Sequence, residues 1–199
     1  IGEIYMLNKI DFKDKDIIID VGANIGILST YFYFNKIQTN YFGIEPSPQE
    51  FDDLKKNVKI FQDNFKLYDC AVSNKDEKEL TFNIDSEGAD SSLIFKSINK
   101  LIKVKPIKLN TFQNMRIKLI KLETEGAEPE ALESMNEVVH NIEYISADLG
   151  YERLGQSTYE VSKKILNNYG FEEICSFKNR STFLFLNKNF YNLIGDNKN

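Results

Sequence analysis

The run from Ile17 to Gly26, IIIDVGANIG, constrains this chain more than any other stretch. Three isoleucines lead into Asp20 and Val21. A β-branched, apolar run of that length reads as a buried parallel strand. Gly22 and Gly26 follow, with Ala23, Asn24 and Ile25 between them. Glycines just past a strand permit a tight turn and let a ligand approach the backbone closely. The next residues, ILSTYFYF, begin a helix. A strand, a glycine turn and a helix N-terminus form a nucleotide-sized cradle at the carboxyl edge of a sheet. A corner whose glycines serve only packing would carry the same residues.

The glycine spacing narrows the ligand. A dinucleotide fingerprint needs G-x-G-x-x-G and a P-loop needs G-x-x-x-x-G-K-[ST]; the G-x-x-x-G found here meets neither. Asp20 stands where a phosphate binder keeps its backbone amides free. The pattern suits a ligand with a cationic group and no phosphate, and S-adenosylmethionine, with an ammonium and a sulfonium, is such a ligand.

The 199 residues suffice for one α/β domain with a proper core, and residues 1–199 are expected to form a single domain. A formal net charge of −5 offers no broad basic surface to nucleic acid, although local basic patches stay open. No apolar run is long enough to span a bilayer, and no secretory segment opens the chain. Cys70 and Cys175, isolated in strand-like contexts, read as buried reduced thiols and point to a reducing, cytoplasmic compartment. With His140 as the sole histidine, a multi-histidine metal site or a Ser-His-Asp triad is hard to build.

Residues 1–16 read as an irregular lead-in with room for a short helix or strand. Ile17–Val21 is strand one, and a helix over Gly26–Asn35 turns Leu28, Tyr31, Phe32 and Ile37 toward the sheet. Tyr41–Glu45 is strand two. Ser47, Pro48 and Glu50 make an S-x-x-E capping box, and Phe51, Leu54, Val58 and Phe61 recur at helical spacing. That helix start places Glu45 at the end of strand two. Phe65–Val72 is strand three, and Leu80–Ile84 is a more exposed strand. Asp85–Leu93 is a polar loop that, extended to Lys96, makes a candidate substrate lip. Leu101–Phe112, around Pro106, suggests a bulged edge strand.

Ile117–Glu123 is strand four. Pro129 opens a helix holding Ala131, Leu132, Met135 and Val138, and Ile142–Asp148 is strand five. Ser157 and Glu160 form a second capping box; the helix they open carries Val161, Ile165, Leu166 and Tyr169 and stops at Gly170. Phe171–Phe177 and Thr182–Leu186 pair as a closing hairpin, and residues 190–199 are expected to be a disordered tail. Strands alternating with helices imply an α/β fold: a doubly wound, mostly parallel, Rossmann-like sheet with an antiparallel C-terminal edge hairpin.

Three acids then stand out by position: Asp20, Glu45 and Glu123 end strands one, two and four. Ligands of an open α/β sheet bind outside the carboxyl ends of its strands, and an acid some 20 residues past the glycine turn takes ribose hydroxyls. Glu45 lies 23 residues past Gly22. Solvated carboxylates at strand ends are common, but the coincidence of all three with the glycine turn favours a ribonucleoside site.

DVGANIG, GIEPSPQEFDDLKKNV, CAVSNKDEKELTF and IKLIKLETEGAEPEALESM, in that order over residues 17–135, resemble the FkbM family of S-adenosylmethionine-dependent methyltransferases. The resemblance implies the class I methyltransferase version of this fold and O-methylation of a sugar, glycan or small metabolite. One departure is visible: where the family has Asp-x-Glu-Gly-x-Glu, this chain begins the segment with Glu123 and continues to Glu128. Carried over by position, the methionine part of the donor lies against Asp20, Gly22, Ala23, Asn24 and Gly26, and the ribose on Glu45. Pro46, Cys70 and Ala71 flank the adenine, and Glu123 faces the donor's amino-acid end or the reacting centre.

A hydroxyl acceptor benefits from a general base. With the histidine badly placed, a carboxylate is expected, and Glu125 and Asp148 are the candidates. Glu125 and Glu128 also read as a solvated helix-start cluster favoured by the macrodipole. Glu123, Glu125 and Asp148 offering oxygen ligands to Mg²⁺ or Ca²⁺ is a minority reading; no metal site is expected. An amino- or nucleic-acid methyltransferase would favour an Asn/Asp-Pro-Pro-Tyr segment where this chain has LETEG. A non-catalytic nucleoside-binding or partner module on the same fold stays open. The acceptor is expected to be a small molecule or glycan, with no nucleic-acid or membrane partner. Tyr151 and Arg153 suit a sugar or an acidic group equally as well as they suit an ordinary surface.

Overall fold

The computed structural model of the chain describes residues 1–84, 91–94 and 100–190. Of the expected lip, residues 85–90, 95 and 96 lie outside them, as do residues 97–99 and the tail from residue 191.

Elements alternate as the periodicity implies: β1 (Ile17–Val21), α1 (Ile27–Phe34), β2 (Asn40–Ile44), α2 (Pro48–Phe61) and β3 (Asn64–Tyr68). Short strands β4 (Ala71–Val72), β5 (Leu80–Ile84), β6 (Lys100–Val104) and β7 (Pro106–Ile107) follow. The chain then adds β8 (Ile117–Leu122), α3 (Glu128–Glu133), β9 (Ile142–Asp148), α4 (Tyr159–Asn168), β10 (Phe171–Phe177) and β11 (Thr182–Asn187). Among the described residues, seven strands form one sheet in the order β10-β11-β9-β8-β1-β2-β3. β11 runs antiparallel to β9 and β10, and the other pairs are parallel. The expected closing hairpin is therefore present, with β11 as the reversed strand and β10 outermost.

The sheet is buried on both faces, which is why β1 is apolar without alternation. Ile18 packs with Leu28, Phe32, Leu54 and Val58 from α1 and α2. Ile19 faces the other way, with Ala131, Leu132 and Leu166 from α3 and α4. Chain order runs outward from β1 through β2 to β3 and, on the other side, from β8 to β9. The switch point lies between β1 and β8, where an open sheet leaves a crevice.

Several expectations need correction. Strand three splits at Asp69 and Cys70: β3 stays in the main sheet, while β4 pairs with β7. The supposed bulged strand around Pro106 is β6, β7 and a 3₁₀ turn at Leu109–Phe112, and β6 pairs with β5 in a separate ribbon. α3 stops at Glu133 because Ser134 makes i→i−3 bonds to the Ala131 carbonyl, through its amide at 3.1 Å and its hydroxyl at 2.6 Å; Met135 and Val138 are buried in the turns beyond.

Neither capping box closes. Ser47 precedes α2 with extended backbone, but its hydroxyl bonds Glu50, and its amide is taken by Glu45 at 2.8 Å. Thr158, not Ser157, is the residue before α4; Ser157 Oγ donates to the Leu149 carbonyl and accepts the Tyr159 amide at 3.2 Å rather than that of Glu160. Val161 is exposed rather than packed. The lead-in does form a short 3₁₀ turn, Leu7–Lys9, and buries Tyr5, Met6, Leu7 and Ile10 in the core.

Candidate active site

A cleft of about 470 Å³ opens at the carboxyl ends of β1, β2, β8 and β9. Asp20, Gly22, Ala23, Asn24, Glu45, Pro46, Cys70, Ala71, Glu123, Glu125 and Asp148 all line it. Of the residues expected to bind the donor or act as base, Gly26 alone is not among those lining it. It sits at the start of α1 with φ 84°, and a side chain there would meet Leu54 at 2.8 Å and Val58 at 3.2 Å. Gly26 serves helix packing. Gly22, at φ 69°, is demanded by the neighbouring strand: a Cβ would fall 1.8 Å from the Glu123 carbonyl oxygen.

Glu45 organises the next corner. One carboxylate oxygen accepts the Asn24 amide at 2.8 Å and the other the Ser47 amide at 2.8 Å. Burial pushes its carboxyl up to about 7, against the pull of the Ser47 and Asn24 amides and of Lys121. Each oxygen keeps a second lone-pair direction.

The floor of the cleft is an ion cluster. Tyr41 donates to Asp20 Oδ2 at 2.5 Å, and Lys121 Nζ lies 3.3 Å from Asp20 Oδ1. That ammonium also donates to the Gly22 carbonyl at 2.7 Å and lies 3.0 Å from Glu123 Oε2. Tyr5 donates to the same Glu123 oxygen at 2.5 Å, and Arg180 lies 3.5 Å from Oε1. Burial pushes the Glu123 carboxyl up, but Lys121, Tyr5 and Arg180 outweigh it and hold it below its usual range. Burial works against the charge on Lys121, and Asp20 and Glu123 overcome it.

The loop after β8 is held from within. Glu128, 1 % exposed, accepts the Thr124 amide and hydroxyl at 2.9 Å each and the Gly126 amide at 3.1 Å. Its other oxygen accepts the Thr158 hydroxyl at 3.1 Å. The solvated-cluster reading therefore fails for Glu128: loop amides replace water around it. Glu125 borders the cleft with φ 52°. Arg153 is committed to Glu130 through two bonds of 2.7 and 2.9 Å and to the Gly126 carbonyl, while Tyr151 is exposed.

Asp148 ends β9 and is 8 % exposed, and its Oδ1 is buried without a hydrogen-bond partner. Burial first, then the charges of Glu123 and Glu152, raise its carboxyl to about 7. Burial, with Asp69 beside it, pushes the Cys70 thiol up to about 12, so it lines the cleft as a neutral group. Among the described residues, no three His, Cys, Asp or Glu side chains gather as metal ligands.

Tyr5, Tyr41, Lys121 and Arg180 were not legible as site residues. For Lys121 a signal existed: a lysine in the buried strand IKLIKL demands a buried acid as partner. Tyr5 and Arg180 gave none, since both reach the site across the fold.

A mostly parallel seven-stranded sheet with one reversed strand and acids at its switch point is a Rossmann-like α/β arrangement of the class I methyltransferase type. The chain belongs to the FkbM methyltransferase family: the model described as "Methyltransferase FkbM domain" matches residues 20–176. Residues 20–176 thus form a methyltransferase domain of a family that takes S-adenosylmethionine as donor. The chain is 22% identical over 151 residues to "Methyltransferase 1" of Beauveria bassiana, covering 63% of this chain and 61% of that protein. It spans less than two thirds of that relative's length. In fold it is similar to a TehB-like SAM-dependent methyltransferase from Corynebacterium glutamicum, with TM-score 0.52, 12% identity and coverage of 94% and 88% of the two chains. A SAM-dependent methyltransferase from Aquifex aeolicus gives TM-score 0.51 at 14% identity, covering 90% and 84%.

The residues present fit the donor. The cleft volume is that of a small-molecule site. Its polar groups near the glycine turn are carboxylates with acceptor capacity, suited to ribose hydroxyls and an ammonium and unsuited to phosphate. No helix among the described residues is long and apolar enough to cross a membrane.

Proposed function

We propose that this chain methylates a hydroxyl of a sugar, glycan or small metabolite, with Asp148 accepting the hydroxyl proton. The observation that carries this reading is the Asp148 carboxylate: it ends β9 on the cleft, buried, with Oδ1 unpartnered. A base is most effective when its pKa lies near the working pH, and about 7 meets that condition. Glu125, on the same cleft in a left-handed conformation, is the second candidate.

On this reading Glu45 holds the ribose hydroxyls, and Pro46, Cys70 and Ala71 flank the adenine. Asp20, Gly22, Ala23, Asn24 and Glu123 border the amino-acid end. Bound there, S-adenosylmethionine supplies an electrophilic methyl carbon. The chain's own task is to hold the acceptor oxygen in line, keep the site dry and take up one proton. The formal charge of −5 favours a small or uncharged acceptor over nucleic acid, and two free cysteines suit a reducing, cytoplasmic setting.

The test is a labelled-donor assay against a panel of glycans, hydroxylated metabolites and RNA, followed by Asp148→Asn on the acceptor found. Methylation at a hydroxyl, lowered roughly 100-fold or more by Asp148→Asn, is expected, the usual weight of a general base. Methylation of RNA alone, or an unchanged rate in the variant, would refute the acceptor or the base respectively.

A further inference from the structure

We infer that Lys121 is a positioning residue for the donor's amino-acid end, acting through Asp20 and Glu123; this rests on the assignment of the donor to the cleft.

Lys121 occupies a row that crosses the sheet. In register it faces Asp20 of β1 on one side and Ser146 of β9 on the other. Tyr5 lies along this row: its carbonyl accepts the Ser146 hydroxyl at 2.9 Å, and its ring sits 5.5 Å from Lys121 Nζ. Its hydroxyl ends on Glu123. The N-terminal segment is thereby fastened over the ammonium.

An ammonium has three donors, and Lys121 has three oxygens within reach: the Gly22 carbonyl, Glu123 Oε2 and Asp20 Oδ1. The Gly22 carbonyl takes a hydrogen bond and the two carboxylates are ion pairs at 3.0 and 3.3 Å, the Asp20 oxygen making no hydrogen bond, so the ammonium's charge is directed at the protein. It sets the carboxylates of Asp20 and Glu123 on either side of the glycine turn and pins the turn itself. Removing it would leave two acids in one buried space, each free to turn away or take a proton.

Stability alone does not call for such a cluster. Well-packed apolar side chains often serve as well as a buried ion pair, because desolvation offsets the Coulomb gain. An apolar residue would suit the rest of β8, whose other positions are largely isoleucine and leucine. What sets position 121 apart is that Lys121 and both of its acids border the cleft.

The experiment compares two ligands by calorimetry. S-adenosylhomocysteine carries the amino-acid end; 5′-methylthioadenosine carries the same adenosyl thioether without it. Lys121→Met is expected to weaken S-adenosylhomocysteine roughly tenfold or more, the weight of one charge-assisted hydrogen bond, and to shift methylthioadenosine less than about twofold. Equal weakening of both ligands, or of neither, would overturn the inference and leave Lys121 a structural residue. If Lys121→Met does not fold, Tyr5→Phe decides by the same ratio, with an expected loss of about threefold confined to S-adenosylhomocysteine and no selective loss as the overturning result. Wild-type protein that binds neither ligand would instead remove the donor assignment, and this inference with it.

Discussion

The two halves of the cleft treat their acids differently. At the ends of β1, β2 and β8, each acid has partners: Asp20 has Tyr41 and Lys121, Glu45 has two amides, and Glu123 has Tyr5, Lys121 and Arg180. Asp20 Oδ1 and Asp148 Oδ1 are both buried without a hydrogen bond, but the first has the Lys121 ammonium 3.3 Å away, whereas among the described residues Asp148, at the end of β9, has no ion-pair partner. Groups that must bind are pre-oriented by the protein, so that little is spent ordering them when a ligand arrives. On the proposed reading, a group that must exchange a proton is left poised, at a cost in desolvation that folding tolerates locally.

The contrast can be broken most forcefully at the glycine turn. Gly22→Ala drives a methyl group into the Glu123 carbonyl at 1.8 Å and strains φ 69°. A loss of about 3 kcal/mol or more is expected, seen as a fall of roughly 10 °C in melting temperature. A variant that melts like the wild type would mean that β1 and β8 are not locked together there.

A smaller effect is expected at the ribose corner. Glu45→Ala should weaken S-adenosylhomocysteine by about 10- to 100-fold, from hydrogen bonds to a charged acceptor, while the acceptor's KM changes little. Unchanged donor affinity would remove the ribose role and make Glu45 a clamp for the turn alone.

The pH profiles sharpen the division further, because Glu45 and Asp148 both titrate near 7 in different halves. The rate should rise with pH through about 7, as the base loses its proton, and Asp148→Asn should lose that limb. Donor affinity should rise over the same range and go flat in Glu45→Gln. Stability should move the other way. A carboxyl raised in the folded state favours folding fully below its unfolded pKa, and that contribution fades as pH climbs to about 7. Denaturant melts between pH 4 and 8 should therefore show a shallower decline for Asp148→Asn than for wild type.

The smallest effect is expected at Gly155, in the loop after β9. Its φ is 79°, yet a Cβ there meets nothing within 4 Å. Gly155→Ala should cost only the left-handed strain, about 1 kcal/mol, with donor affinity unchanged. A loss as large as that at Gly22 would mean that this loop is packed as tightly as the donor side.

The half at the ends of β1, β2 and β8 was legible early because its code is local. Ile17–Val21 forms a strand with the bounds its residues imply, and Glu45 follows directly on a strand end, where chain direction alone aims it into the crevice. The side toward the loops after β8 and β9 was less legible. Arg153, readable as a substrate contact, is held by Glu130, and Glu128, readable as solvated, is wrapped by its own loop. In both, the decisive partner stands on another element. The split of strand three was hidden for a similar reason: Ala71 and Val72 pair with Pro106 and Ile107, and no local pattern in FKLYDCAV marks where the chain leaves the sheet.

The amino-acid sequence by itself determined the alternation of strands and helices, the glycine turn and the carboxylates at its rim, because backbone geometry and side-chain period act over a few residues. Tertiary structure alone decided that Tyr5 would reach Glu123 across 118 positions and that Lys121 would stand between two acids. Such meetings follow from strand order and register, and these are fixed only when the whole sheet assembles.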